Sequence, residues 1–137
     1  MKEFPRVSAC VVLYRSGEQA LETLQCLEDS RSRPEIFVVD NHSGDGLAAR
    51  VAERFPDIRL LPQAENLGFG RGNNVVLPLL HSEYHLLCNP DVTFPPELLD
   101  RMTAWMDAHP EAVILTPRVM NQDGTEQFLP KGEITVR

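Results

Sequence analysis

Cysteine is scarce: three residues in 137, Cys10, Cys26 and Cys88, an odd number with no C-x-x-C pair. That spacing indicates neither a zinc site nor a disulfide framework, and the three read as buried thiols of a reducing compartment. Lysine is nearly absent and the arginines stand singly, so 13 basic residues face 20 acidic ones and leave a formal charge of -7. Non-specific nucleic-acid binding needs a clustered basic face, which is missing, so no nucleic-acid partner is expected. Long apolar runs are missing too. Val7 to Tyr14, broken by Ser8, is far too short to span a bilayer, and too few apolar residues precede Cys10 for a signal peptide. The expected setting is cytoplasmic.

What is present is ordinary for a single folded domain, 42% hydrophobic and 24% charged residues. At this length one core buries roughly two-thirds of the surface the unfolded chain exposes, so folding needs no metal or disulfide. No linker, repeat or low-complexity segment divides residues 1–137.

The near-continuous apolar run Val7 to Tyr14, rich in β-branched residues, has the signature of a strand covered on both faces. Ala20, Leu21, Leu24 and Leu27 recur at helical spacing between Glu18 and about Asp29. Ile36 to Val39 is a second buried strand, and a helix from Leu47 to Phe55 is stopped by Pro56. A third strand is expected at Ile58 to Leu61, a glycine-rich loop at Pro62 to Gly72 and a helix at Asn73 to His81. Tyr84 to Cys88 reads as a fourth strand. Pro95-Pro96 opens a helix to His109, with Leu98, Leu99, Met102, Trp105 and Met106 as its packing face. A fifth strand at Ala112 to Leu115 and a small hairpin over 118–130, around Asp123-Gly124, complete the expectation. Strands alternating with helices at this spacing specify an α/β fold, a mostly parallel sheet with helices on both faces.

In open α/β sheets ligands bind outside the carboxyl ends of the strands. Tyr14-Arg15-Ser16, Asp40-Asn41-His42-Ser43, Asn66 to Asn74 and Asn89-Pro90-Asp91 all follow strands, whereas the opposite connections are short and plain. That asymmetry puts a ligand site on one edge. Gly68, Gly70 and Gly72 let backbone approach a ligand closely, Arg71 offers a forked cation, and Asn73 and Asn74 can donate and accept hydrogen bonds, a combination suited to a diphosphate. A dinucleotide G-x-G-x-x-G would need glycine where Asn73 stands. A carboxylate at a strand end, as at Asp91, can ligate Mg2+ or Mn2+, although Asn-Pro-Asp also suits a plain turn. Asp40 suits a hydrogen bond to a base or ribose, or a turn. His81 and His85 fit H-E-x-x-H only loosely, because Glu83 falls one place late.

Taken together, Val39-Asp-Asn-His-Ser-Gly-Asp-Gly46, Glu65-Asn-Leu-Gly-Phe-Gly-Arg-Gly-Asn-Asn74 and Cys88-Asn-Pro-Asp-Val92 resemble the family 2 glycosyltransferases, the rhamnosyltransferase-like members in particular. The resemblance runs from about Val7 to Pro130. It implies a Rossmann-like fold of the GT-A nucleotide-diphospho-sugar transferase type. It also implies inverting transfer of a sugar, rhamnose among the candidates, from a UDP- or dTDP-sugar to a glycan or lipid-linked acceptor. Tyr14, Asp40, Asn41, Gly68, Phe69, Arg71, Gly72, Asn73 and Asn89 would then line the donor, with Asp40 on a pyrimidine base. Asp91, last residue of the D-x-D place, would hold Mg2+ or Mn2+; Asn89 replaces the first acid of that pattern. The family's general base comes well downstream, and Glu111, Asp123, Glu126 and Glu133 match no such motif. The chain is therefore expected to be the donor-binding, N-terminal part of a longer enzyme. Alone it would show little or no turnover, and in the cell it would sit at the inner face of the membrane through a C-terminal region. The alternative is a non-catalytic nucleotide-sugar-binding or interaction module.

Overall fold

The central strand sets the architecture. In the computed structural model, which describes residues 4–127, β1 (Val7–Leu13) is buried at all seven positions. It pairs in parallel with β2 (Glu35–Asp40) from Ser8 opposite Glu35 to Leu13 opposite Asp40, and with β4 (Tyr84–Cys88) from Val7 opposite Tyr84 to Val11 opposite Cys88. β3 (Arg59–Pro62) lies parallel outside β2, giving the order β3-β2-β1-β4. Parallel neighbours cannot be joined by hairpins, so each connection carries a crossover helix. These are α1 (Gln19–Glu28), α2 (Leu47–Arg54) and α3 (Gly68–Asn74), with a 3-10 turn at Leu77–Leu79 before β4 and α4 (Leu98–Ala108) after it.

Side chains alternate across β1, and the two faces have separate cores. Val7, Ala9, Val11 and Leu13 join Ile36 and Val38 under Ala20, Leu21, Leu24 and Leu27 of α1, Leu47 and Val51 of α2 and Leu99 of α4. Each fully buried leucine contributes roughly 1.5–3 kcal/mol, so α1 is held by packing and has no side-chain cap. On the other face Cys10, Val12, Phe37 and Val39 meet Val76, with Leu61, Val75, Leu79 and Leu80 at the rim. The expected sheet with helices on both faces is found.

Four expectations need correction. The segment Ala112 to Leu115 forms no strand: it has no ladder partner, and Val113 and Ile114 are 88% and 87% exposed. Nor does a described strand cover the outer edge of β4, where Leu87 is 58% exposed. The loop expected at Pro62 to Gly72 turns helical at Gly68, and the helix expected at Asn73 to His81 stops where it was to begin, with Pro78 in the 3-10 turn. Trp105 is not core: α4 buries Leu99 and Thr103, while the indole lies outward, stacked on His109 one turn later with ring centroids 3.8 Å apart. The hairpin reduces to one antiparallel bridge, Met120 with Glu126, and residues 128–130 of the expected hairpin lie outside the described residues.

α3 is short and rich in glycine, and two of its glycines stand in opposite circumstances. At Gly72 a Cβ would come 3.0 Å from Val12 Cγ1 and 3.3 Å from Asn41 Nδ2, whereas at Gly70 it would meet nothing within 4 Å. Gly72→Ala should therefore destabilise the fold by about 1–3 kcal/mol, and Gly70→Ala should stabilise it by up to about 1 kcal/mol through helix propensity. Urea unfolding of the two variants checks the pair; equal effects would refute the close approach.

The amino ends of the strands are closed by polar contacts. Ser8 Oγ lies 2.6 Å from Ser82 Oγ and 2.7 Å from His85 Nδ1, and His85 Nε2 is buried without a partner among the described residues. Burial lowers the pKa of His85 from its ordinary 6.5, so the unfolded chain takes up the proton first as pH falls. The stability of the neutral form is thus present above about pH 6.5 and lost below it as pH falls towards the folded value. The urea midpoint should drop between pH 7.5 and pH 5.5, and His85→Asn should flatten that drop; an unchanged slope in the variant would assign it to another group.

Candidate functional site

Because every ladder is parallel, the carboxyl ends of β1, β2, β3 and β4 share one edge. The crossovers leave β1 in one direction and reach β4 in the other, which places a topological switch, and hence a crevice, between those two strand ends.

The first two loops are tied to each other. Asn41 N donates to Leu13 O at 2.9 Å and Gln63 N to Asp40 O at 2.9 Å, extending the ladders past the strand ends. Ser43, buried, donates from Oγ to Leu13 O at 3.3 Å and accepts from Arg15 N at 3.3 Å, and its own N–H donates to Asp40 Oδ1 at 3.2 Å. Tyr14 is exposed, with the Arg15 guanidinium carbon 5.3 Å from its ring centroid. Asp40 is half-buried beside it. Arg15 and His42 both take left-handed backbone, φ 51° and 60°, although neither is glycine.

The glycine-rich segment hangs from β2. Asn41 Oδ1 accepts from Leu67 N at 3.2 Å and its Nδ2 donates to Gly68 O at 3.0 Å. Gly68, at φ 77°, occupies backbone that a side chain would strain, and its N–H donates to Asn66 Oδ1 at 2.9 Å. Phe69, Arg71 and Asn74 face outward. Asn73 is buried, donating from Nδ2 to Phe69 O at 3.0 Å, while its Oδ1 is buried and unpartnered among the described residues. That orphaned acceptor can take a hydroxyl or N–H from a ligand.

At the fourth strand end, Asn89 and Asp91 are exposed, and the Asp91 carboxylate makes no hydrogen bond or ion pair among the described residues. Its charge is felt at Cys88, whose thiol is pushed up to about 12, by burial first and then by Cys26, Asp91 and Cys10. Burial alone pushes Cys10 to about 12, so both are inert thiols, and Cys26 is half-buried. No group of three or more His, Cys, Asp or Glu gathers as a metal cage among the described residues. A single exposed carboxylate at a strand end is nevertheless a hard-oxygen ligand of the kind Mg2+ or Mn2+ takes when phosphate and water supply the rest of its shell.

The structure brings all ten expected site residues to one edge but sorts them. Tyr14, Gly68, Phe69, Arg71, Asn89 and Asp91 are exposed and Asp40 is half-buried, whereas Asn41, Gly72 and Asn73 are directed inward. Ser43 and Arg15, which brace the first two loops, went unselected; a serine in a polar turn carries no mark in sequence that separates a brace from a solvated residue. Among the described residues no helix is long and apolar enough to cross a membrane.

Comparison with known proteins bears on this edge. The model of the family "Glycosyl transferase family 2" matches residues 8–135. The N-acetylglucosaminyl-diphospho-decaprenol L-rhamnosyltransferases of Mycobacterium tuberculosis strains CDC 1551 / Oshkosh and ATCC 25618 / H37Rv are each 29% identical over 126 residues, covering 83% of this chain and 41% of theirs. The chain thus spans about two-fifths of the length of those curated relatives. Among solved structures, S. aureus TarS 1-349 in complex with UDP is 25% identical with a TM-score of 0.68, over 77% of this chain and 33% of that one. Mannosyltransferase PcManGT from Pyrobaculum calidifontis, in complex with GDP-Man and Mn2+, is 26% identical with a TM-score of 0.66 over the same shares.

The left-handed backbone at His42 gives a direct test of strain on this edge. His42→Gly should stabilise the fold by roughly 0.5–1 kcal/mol, the net of relieved strain and added chain entropy. Thermal melting reads it, and a lowered melting temperature would show that the imidazole makes a compensating contact.

Proposed function

Since the chain belongs to glycosyl transferase family 2, we propose that its polar sheet edge is the donor site of an inverting glycosyltransferase. The enzyme moves a sugar from a UDP- or dTDP-sugar to a hydroxyl of a glycan or lipid-linked acceptor, in cell-wall or polysaccharide synthesis. The observation that carries this reading is the convergence of four polar loops at the switch between β1 and β4, on the edge where an α/β sheet takes its ligand. Rhamnose is the favoured sugar, because the M. tuberculosis relatives are rhamnosyltransferases with a decaprenol-linked substrate in their names. The site of action is the cytoplasmic side, at the inner face of the membrane, where a lipid-linked acceptor is met.

Tyr14 and the half-buried Asp40 take the nucleoside, Asp40 accepting from the base or ribose. The glycine-rich segment follows the ribose and diphosphate, with the exposed Arg71 guanidinium as its cation and the buried Asn73 Oδ1 as an acceptor for a hydroxyl or N–H. Asp91, with Asn89 beside it, anchors Mg2+ or Mn2+. When bound, such a cation supplies electrostatic stabilisation of the charge that grows on the leaving diphosphate. The acceptor hydroxyl must lose a proton to a carboxylate base, and no described carboxylate takes that role here.

A UDP- or dTDP-sugar with Mn2+ should raise the melting temperature by several degrees, since a ligand at a hundred times its Kd adds about 2.7 kcal/mol. Asp91→Ala should keep the shift produced by nucleotide alone and lose the increment from metal. No shift with any nucleotide, with or without Mn2+, would sink the reading.

A further inference from the structure

Asn41 was grouped by its sequence with the donor-contacting residues, yet its surroundings describe a different task. It is 1% exposed, and each of its polar ends is already engaged within the protein. Its N–H continues the β1–β2 ladder onto Leu13 O at 2.9 Å, its Oδ1 accepts from Leu67 N at 3.2 Å, and its Nδ2 donates to Gly68 O at 3.0 Å. One turn further along α3, Gly72 presses so near that a Cβ there would stand 3.3 Å from the same Nδ2. The amide is thus seated against two successive turns of α3. That helix is weak by itself: three of its seven residues are glycine, each costing about 1 kcal/mol of helix propensity, and besides Asn41 the side chains that bond its backbone are its own Asn73 and the adjoining Asn66. Asn41 is also the chain neighbour of Asp40, whose backbone holds Gln63 N and whose carboxylate holds Ser43 N. One residue therefore joins the loops at Tyr14 and Asp40 to the glycine-rich segment.

We propose that Asn41 is a positioning residue that sets the spacing between the nucleoside half of the donor site and its diphosphate half without touching the donor. The inference rests on the donor-site reading above. Its consequence is that loss of the Asn41 amide leaves nucleoside recognition in place and removes the gain in affinity from the second phosphate.

The test compares UMP and UDP by calorimetry on the wild-type chain, Asn41→Leu and Asn41→Asp, with Mn2+ held constant. For Asn41→Leu the UDP Kd should rise about tenfold, the equivalent of the two hydrogen bonds removed, while the UMP Kd changes less than about twofold. Asn41→Asp keeps the acceptor for Leu67 N, loses the donor to Gly68 O, and should lie between; if Asn41→Leu does not fold, this variant decides. A general loss of folded protein would depress both ligands together and leave the ratio of the two constants unchanged. An unchanged ratio in a folded variant, with UDP binding intact in the wild-type chain, overturns the positioning role alone. A wild-type chain that binds neither nucleotide overturns the donor-site reading and this inference with it.

Discussion

The parallel pairing of β1 with strands on both sides is the constraint from which the rest follows. Because β1 is buried along its whole length and flanked by β2 and β4 in the same direction, each connection must return across a face of the sheet. Four loops are thereby delivered to one edge, and the turn of direction between β1 and β4 opens the crevice between them. The chemistry of the edge is then a matter of which residues the loops carry. A conversion of any one ladder to antiparallel would move a loop to the opposite edge and dissolve the site.

The two edges of the sheet are finished differently. At the amino end, Ser8 bonds Ser82 and His85 Nδ1, and Arg6 bonds Glu83 and Asp107, the latter also holding the Tyr84 hydroxyl. Most polar groups there are spent on each other, His85 Nε2 being the exception among the described residues. At the carboxyl end, part of the polar set is spent on bracing, through Asn41 and Ser43, and part has no partner among the described residues: the Asp91 carboxylate, the Asn73 Oδ1, and the exposed Arg71. Arg15 and His42 stand in left-handed backbone on this same edge.

Much of this was legible in the residues themselves. β-branched runs gave β1 and β2, leucine spacing gave α1, and three ordered motifs gave the family. Legibility failed where a local pattern depends on distant partners. Ala112 to Leu115 has the composition of a strand, but composition cannot supply a neighbour to pair with. α3 has the composition of a loop, and it is helical because Asn41, 26 residues before Leu67, holds its first turn. Trp105 sits at core spacing on α4, yet the face that packs is set by the sheet beneath, which takes Leu99 and Thr103. For the site, exposure divided residues that sequence grouped as equals: Asn41 and Asn89 are the same amide, one braced inside and one facing solvent.

The register of the ladders also sets how much chain each pairing of β1 must close. β1 finds β2 across a short stretch of chain, Ser8 meeting Glu35, but reaches β4 only across most of the described protein, Val7 meeting Tyr84. Closing the longer loop costs about 1 kcal/mol more entropy than closing the shorter, and no hairpin exists to seed it. The β1–β2–β3 unit, with the glycine-rich segment slung from Asn41, is thus the part that can form early. The corner bearing Asn89 and Asp91 depends on that longer closure, so the edge is whole only once the partner of β1 most distant in sequence has docked.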